Sequence, residues 1–304
     1  MTKWLLLGGF AVIYFVWGST YLAIKWTVGE IPPFLMMGCR FSLAGAMLLA
    51  YAKPKQISRA QVWHGLVLGM TMVVLGTGVV GWVESYIPSG LTALLVSVSP
   101  IWMMAMDAVV PGGRVPGRKG VMGAFLGLFG SALLVGSDVF QGTSQWIAVA
   151  VLVGSTWMWS LGSLFARYHK VEAPPLVLPG LQMFIGGCVL MLIAAYRGEW
   201  VSVSWRDVSV QAWSAWAYLV VFGSVLVFPT YVWLMRVSTP SRVSTHAFVN
   251  PVIAVLLGWL VGGESVKMAM ILAAGVIVVA VALMTQDRGS LIRPVLGRKR
   301  CTSL

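Results

Sequence analysis

Charge is scarce in this chain, and its placement limits the chemistry open to it. Of 304 residues, nine are Asp or Glu and three are His. Lys25, Arg40 and Asp107 fall inside long apolar stretches, where an ionised group is costly and marks either function or a dedicated partner. Arg40 can hold a substrate carboxylate, or pair with helix-end carbonyls. Lys25 lies at the end of its stretch, where it can snorkel to the interface. Asp107 and Glu84 fall near stretch ends, at headgroup depth. His246 is well inside a stretch; it can carry a proton or act as a hydrogen-bonded packing residue. No carboxylate is expected at mid-depth, so facilitated exchange down a metabolite gradient fits at least as well as obligatory proton coupling.

Two dipeptides are more specific. Ser99-Pro100 and Asn250-Pro251 each place a polar side chain directly before a proline deep in an apolar run. Proline removes a backbone donor and clashes with the carbonyl four residues earlier, so each helix is expected to kink or open there. The neighbouring polar group can satisfy the freed backbone or offer itself to a substrate. Aromatic residues supply the rest. Trp4, Trp26, Trp63, Trp146, Trp200 and Trp205 sit where interfacial belts form, whereas Trp17, Trp82, Trp102, Trp157, Trp159 and Trp233 lie deeper or at repeat-matched positions. With Met37, Met103 and Met158 the deeper ones suit an adaptable apolar cavity or ordinary helix packing. The candidate cavity is therefore Trp17, Tyr21, Met37, Arg40, Trp82, Ser99, Trp102, Met158, Trp159, Trp233, His246 and Asn250, with Pro100 and Pro251 as kinks. No phosphate-binding Gly-x4-Gly-Lys-Ser/Thr and no zinc-spaced Cys or His pair occurs, so no cofactor, metal or catalytic group is expected.

The elements that must position these residues are membrane helices. Hydrophobic residues make up 59% of the chain and charged residues 10%, with a mean hydropathy of +0.87; a soluble domain carries about 25% charged residues. Ten stretches are long enough to cross a bilayer: 4–26, 34–52, 62–83, 90–110, 120–137, 145–166, 176–196, 211–235, 243–262 and 268–285. The connectors are too short for a soluble domain. Cys39 and Cys188 fall inside apolar runs and read as small core residues rather than a bridge. The net charge of +12 is not a nucleic-acid footprint, because the basic residues cluster between spans. With the N-terminus inside, 16 of the 21 Lys and Arg lie on the cytoplasmic side and three on the other. That bias predicts an inner-membrane, multi-pass protein with both termini cytoplasmic.

The order of features repeats. Glu30-Ile31-Pro32-Pro33 matches Glu172-Ala173-Pro174-Pro175, followed at the same offset by Gly38 with Gly180, Gly45 with Gly187 and Leu48 with Leu190. Farther on, Trp82 matches Trp233, Ser99-Pro100 matches Asn250-Pro251, and Val110-Pro111-Gly112 matches Val261-Gly262-Gly263. The predicted organisation is a first five-helix repeat over 1–138, a second over 139–286, and a basic tail over 287–304. Five spans is an odd number, so the second repeat enters the membrane inverted. Inverted repeats in transporters place the substrate near the midplane and supply two related states open to opposite sides. The fold class is thus an all-α integral membrane protein, ten helices in two inverted repeats around a central cavity.

Trp17-Gly18-Ser19-Thr20-Tyr21 followed by Lys25, Arg40-Phe41, Pro100, and Asn250-Pro251 followed by Gly258 and Gly263-Glu264 resemble the EamA-type members of the drug/metabolite transporter superfamily. The resemblance covers roughly residues 4–285, and within that family the chain looks most similar to the YddG-like amino-acid exporters. It departs from the pattern at Gly112-Gly113-Arg114, where the family often has a glutamate like Glu264. The resemblance implies a secondary exporter of small metabolites, foremost amino acids, with a small-molecule substrate and the bilayer as partners, no nucleic acid, and function as a monomer. The alternatives are a multidrug or organic-cation exporter and, in another class, a lipid-linked transferase, for which no catalytic constellation is visible. An ion channel would need a carboxylate ring or a filter-like loop, and neither is seen.

Overall fold

The computed structural model describes residues 3–87, 89–135, 143–262, 268–287 and 289–291. Glu264, Lys267, Arg288 and the basic tail from 292 onward, which complete the sequence motifs above, lie outside the described residues. The chain is helical because a backbone in hydrocarbon must satisfy its own hydrogen bonds segment by segment. In order, the helices are α1 (Lys3–Val28), α2 (Pro33–Ala52), α3 (Arg59–Val83), α4 (Ser89–Val96), α5 (Ser99–Asp107), α6 (Arg118–Val135), α7 (Thr143–Tyr168), α8 (Val177–Tyr196), α9 (Glu199–Ser202), α10 (Val210–Val237), α11 (Pro240–Val243), α12 (His246–Gly262) and α13 (Met268–Gln286). Among the described residues, six helices are long and apolar enough to cross a membrane: α1, α2, α3, α7, α8 and α10. The expected stretches 90–110, 120–137, 243–262 and 268–285 are occupied by α4 with α5, α6, α12 and α13.

Two spans depart from α geometry in their middles. Helix α3 winds as a π-helix over Gly69–Gly78, and α10 does so over Val221–Leu226. Such insertions free carbonyls from the regular ladder and collect at functional positions. In α10 the freed groups meet Arg40 of α2, whose Nε donates to Ser224 Oγ at 2.8 Å and whose Nη2 donates to Gly223 O at 2.9 Å.

The two helices that open the matched segments, α2 and α8, form a glycine seam. A Cβ on Gly38 would lie 3.2 Å from Gly187 O and 2.8 Å from Met191 N; one on Gly45 would lie 2.7 Å from Gly180 O. Rising numbers on α2 meet falling numbers on α8, so the helices run antiparallel. Small residues let the backbones approach this closely. The last helices of the segments, α6 and α13, also run antiparallel: a Cβ on Gly123 would be 2.8 Å from Ala280 O, and one on Gly130 would be 3.3 Å from Ala273 O.

Helix starts are secured locally and from afar. Ser58 and Gln61 form a reciprocal capping box at α3, and Ser209 Oγ accepts from Ala212 N at 3.1 Å at α10. Pro32 gives α2 no side-chain cap. Instead Glu199 Oε2 accepts from Leu35 N at 2.9 Å, setting a carboxylate at the positive helix end. Glu30 accepts from Ser209 N at 2.5 Å and from Ser209 Oγ at 2.6 Å; at the other end of the bundle Gln61 Nε2 donates to Glu172 O at 2.8 Å. A short ribbon pairs Arg114–Val115 (β1) with Ser290–Leu291 (β2), antiparallel. The main core gathers around Trp17, Phe41, Phe228 and Tyr231, while Phe15, Phe125, Leu192 and Val278 face outward as a lipid-contacting surface would.

Candidate functional site

A central cavity of about 580 Å³, part of it open to solvent, lies between α1, α3, α4, α5, α7 and α12. Its walls are Trp17, Thr20, Tyr21 and Ile24 of α1; Gly76, Thr77 and Val80 from the π-helical part of α3 and the turn after it; Val96 and Ser99 at the α4–α5 break; Ser155, Thr156 and Trp159 of α7; and His246 and Asn250 of α12. At one end, Trp17, Trp159 and His246 of the wall form a floor backed by Tyr231 and Phe228. The Trp17 ring centroid lies 4.8 Å from His246, 5.0 Å from Tyr231, 5.4 Å from Trp159 and 5.7 Å from Phe228. Mostly tilted or edge-on, these contacts are the favoured geometries for ring quadrupoles. Hydrogen bonds lock the floor: Trp159 Nε1 donates to the Tyr231 hydroxyl at 3.2 Å, and that hydroxyl lies 2.8 Å from Ser163 Oγ.

The polar groups around the cavity share one property. Their hydroxyl protons point into helix backbones: Thr20 to Trp17 O at 2.7 Å, Thr77 to Met72 O at 3.2 Å, Ser99 to Val96 O at 2.6 Å, Ser155 to Gly76 O at 2.9 Å and Thr156 to Val153 O at 2.7 Å. A hydroxyl that has spent its only proton can only accept. His246 Nδ1 sits 2.9 Å from Val243 O, a geometry that assigns the proton to Nδ1 and leaves Nε2 an acceptor. Asn250 Oδ1 is buried without a hydrogen-bond partner; the Tyr21 and Asn250 side chains face each other but do not satisfy that oxygen. The cavity therefore presents acceptors and aromatic faces, with few donors.

The two proline positions are built differently. The expected fourth span is broken: α4 ends at Val96, and Pro100 stands in the first turn of α5, where no donor is missed. Val96 O, the carbonyl four residues before Pro100, is taken by the Ser99 hydroxyl. Helix α12 instead runs through Pro251 unbroken.

Six of the residues expected from sequence meet in this cavity: Trp17, Tyr21, Ser99, Trp159, His246 and Asn250. The others stand elsewhere. Arg40 is fully buried against Gly223 O and the Ser224 hydroxyl of α10 rather than on the cavity wall, with Met37 Sδ 3.6 Å from its Nη1. Trp82 packs on Tyr86 at 4.8 Å, Trp102 buries an unpartnered Nε1, and Met158 is half-buried outside the cavity lining. Trp233 crosses Gly9 and lines a separate groove with Pro174, Pro175 and Pro229. Trp157 faces outward. Asp107 is buried and accepts from the Tyr168 hydroxyl. Sequence reasoning missed the hydroxyls of Thr20, Thr77, Ser155 and Thr156 on the wall, and Tyr231 and Phe228, which pack behind Trp17. Cys39 and Cys188 are free thiols.

The geometry is that of a cavity inside a bundle of apolar helices, and comparison with known proteins shows which family the chain belongs to. The model of the EamA-like transporter family matches the chain twice, over residues 2–136 and 146–286. The chain is 32% identical to the uncharacterized inner membrane transporter YedA of Escherichia coli (strain K12), over 92% of this chain and 90% of that one. It is 24% identical to the uncharacterized transporter sll0355 of Synechocystis sp., over 90% and 87%, and 24% identical to the WAT1-related protein At3g02690, chloroplastic, of Arabidopsis thaliana, over 91% and 68%. A solved crystal structure shares the fold at a TM-score of 0.75 and 21% identity, covering 94% of this chain and 97% of the other. The chain belongs to the EamA-like transporter family of the drug/metabolite transporter superfamily, a membrane transporter and not an enzyme.

Proposed function

We propose that this chain is an inner-membrane secondary transporter exporting small metabolites that carry an amino group, foremost amino acids with aromatic or other apolar side chains. The observation that carries this reading is the cavity's one-sided hydrogen bonding. Acceptors at Thr20, Ser99, Ser155, Thr156, His246 and Asn250 suit the N–H bonds of an ammonium group, and the Trp17–Trp159 pair on the wall suits an apolar side chain. The Tyr21 hydroxyl and the Asn250 amide nitrogen offer donors to a carboxylate. Transport proceeds by alternating access between inverted repeats over 1–138 and 139–286, in a monomer with both termini cytoplasmic. The doubled family match, the antiparallel α2–α8 and α6–α13 pairs and the bias of Lys and Arg support that arrangement. The inner-membrane assignment rests on YedA.

A second reading, a multidrug or organic-cation exporter, is favoured by the aromatic floor, because cations stack on ring faces. Counterflow of labelled phenylalanine, leucine and lysine beside a quaternary ammonium ion, into proteoliposomes without an ion gradient, separates the two. Accumulation of phenylalanine and leucine above the quaternary ion supports amino-acid export. Accumulation of the quaternary ion alone overturns it in favour of the second reading.

A further inference from the structure

Glu84 closes α3 one turn beyond Val80 of the cavity wall. Although the residue as a whole is half-buried, both carboxylate oxygens are fully buried and neither has a hydrogen-bond partner. It stands at the helix C-terminus, where the macrodipole adds negative potential and disfavours a second negative charge. Among the described residues, α1 supplies Lys25, an exposed cation, and the Tyr21 hydroxyl of the cavity wall. From its own turn comes Tyr86, tilted against Trp82. The faces of α2, α4 and α7 nearest this turn present Met36, Met37, Ala93, Ala148 and Leu152, all uncharged. Burial holds the Glu84 carboxyl well above the ordinary carboxylate range, with Lys25 pulling the other way.

A buried, unpartnered carboxylate at the edge of an acceptor-lined cavity is an incomplete site, because leaving it ionised and unsatisfied is costly. Two species complete it: a proton, or a cation bearing N–H donors. We propose that Glu84 is a cation-exchange site at the cavity mouth, holding a proton when the cavity is empty and releasing it as a solute ammonium group arrives. This rests on the reading that the cavity binds amine-bearing solutes. The step balances: the Glu84 O–H bond breaks, its proton leaves to solvent, and the resulting carboxylate accepts N–H bonds from the ammonium. Binding of one such cation thus displaces one proton, and the carrier couples solute movement to proton movement in the opposite direction.

Infrared difference spectroscopy of the purified full-length protein tests Glu84 directly. The expected result is a protonated-carboxyl band at neutral pH that is absent from Glu84→Gln, present in Glu84→Asp, and lost when phenethylamine is added. Phenethylamine affinity, read from tryptophan fluorescence, is expected to rise about tenfold per pH unit while the carboxyl is protonated, and to lose that slope in Glu84→Gln. Phenylpropionate, which lacks the ammonium, is expected to leave the band in place. Absence of the band from the wild type overturns the proposal. So does a band that bound phenethylamine leaves unchanged, or a wild-type pH slope in Glu84→Gln. The transport reading is tested separately by counterflow: failure there with an intact Glu84 band strikes that reading, whereas counterflow in a protein lacking the band strikes only this one.

Discussion

Ser99-Pro100 and Asn250-Pro251 occupy matched places in the two halves, yet the structure uses them in opposite ways. At Pro100 the helix stops and restarts, and the Ser99 hydroxyl is consumed on Val96 O, the carbonyl orphaned by the proline. At Pro251 the helix continues and the preceding side chain is not consumed, so Asn250 Oδ1 remains a buried acceptor beside the cavity. A proline needs relief only where it sits deep in a helix or leaves a carbonyl bare. Ser99 meets that need at Pro100, whereas Asn250 Oδ1 makes no such bond at Pro251. Matched sequence positions thus end differently: one polar side chain is bonded to the backbone and the other keeps an unpartnered oxygen.

The sharpest way to break this comparison is at the polar residues. Asn250→Leu is expected to reduce amino-acid counterflow roughly 10- to 100-fold, the loss of about 1.4–2.8 kcal/mol of hydrogen bonding to a charged group. Ser99→Ala is expected to leave counterflow within about threefold and to lower stability by about 1 kcal/mol. Equal transport losses in the two variants would erase the distinction. Prolines come next. Pro251→Ala restores a donor inside α12 and is expected to raise stability by on the order of 1–3 kcal/mol while slowing turnover. Pro100→Ala, in a first helical turn, is expected to change the melting temperature little.

Arg40→Ala is expected to cost roughly 1–3 kcal/mol through the lost Gly223 and Ser224 contacts, and to weaken solutes with and without a carboxylate alike. Selective loss of carboxylate-bearing solutes would place Arg40 in binding after all. Trp17→Ala and Trp159→Ala should shift the ratio of phenylalanine to leucine counterflow several-fold, about 1 kcal/mol of aromatic contact, with folding retained. The smallest effect is one of acidity. Hydrogen bonds from Ser209 hold the exposed Glu30 carboxyl below its ordinary value. A lowered folded value stabilises above the unfolded range near pH 4.3 and is lost as pH falls through the folded value. Glu30→Gln is therefore expected to flatten the acid limb of a melting-temperature profile. An unchanged limb would show that the Glu30–Ser209 contact does not contribute.

Much of this was legible from residue types. Polar and aromatic groups at mid-depth in apolar runs are conspicuous, which is why Trp17, Tyr21, Trp159, His246, Asn250 and Ser99 were identified. Thr20, Thr77, Ser155 and Thr156 were not, because hydroxyl residues are common in membrane helices and bond helix backbone wherever they sit. Which face they present depends on helix rotation, and rotation is set by contacts distant in sequence. The π-helical windings in α3 and α10 shift that rotation without any marker in the residue order. Arg40 shows the same limit: its depth allowed either a carboxylate or backbone carbonyls, and only the winding of α10 supplied Gly223 O and the Ser224 hydroxyl. Tyr231 and Phe228 escaped because aromatic residues in a span give no sign of whether they face a cavity or a neighbour.

The glycine seam between α2 and α8 also offers a site for measurement. Its closest approaches are largely backbone on backbone, Gly38 against Met191 N and Gly187 O and Gly45 against Phe184 N and Gly180 O, with the Leu48, Leu49 and Met191 side chains packed around them. Tyr51 and Tyr196, both exposed on these helices, mark opposite ends of the seam. Dyes attached there would report whether the seam holds or slides as one half of the chain moves against the other. A second dye pair across the cavity, read alongside the first, would show which of the two distances changes during turnover.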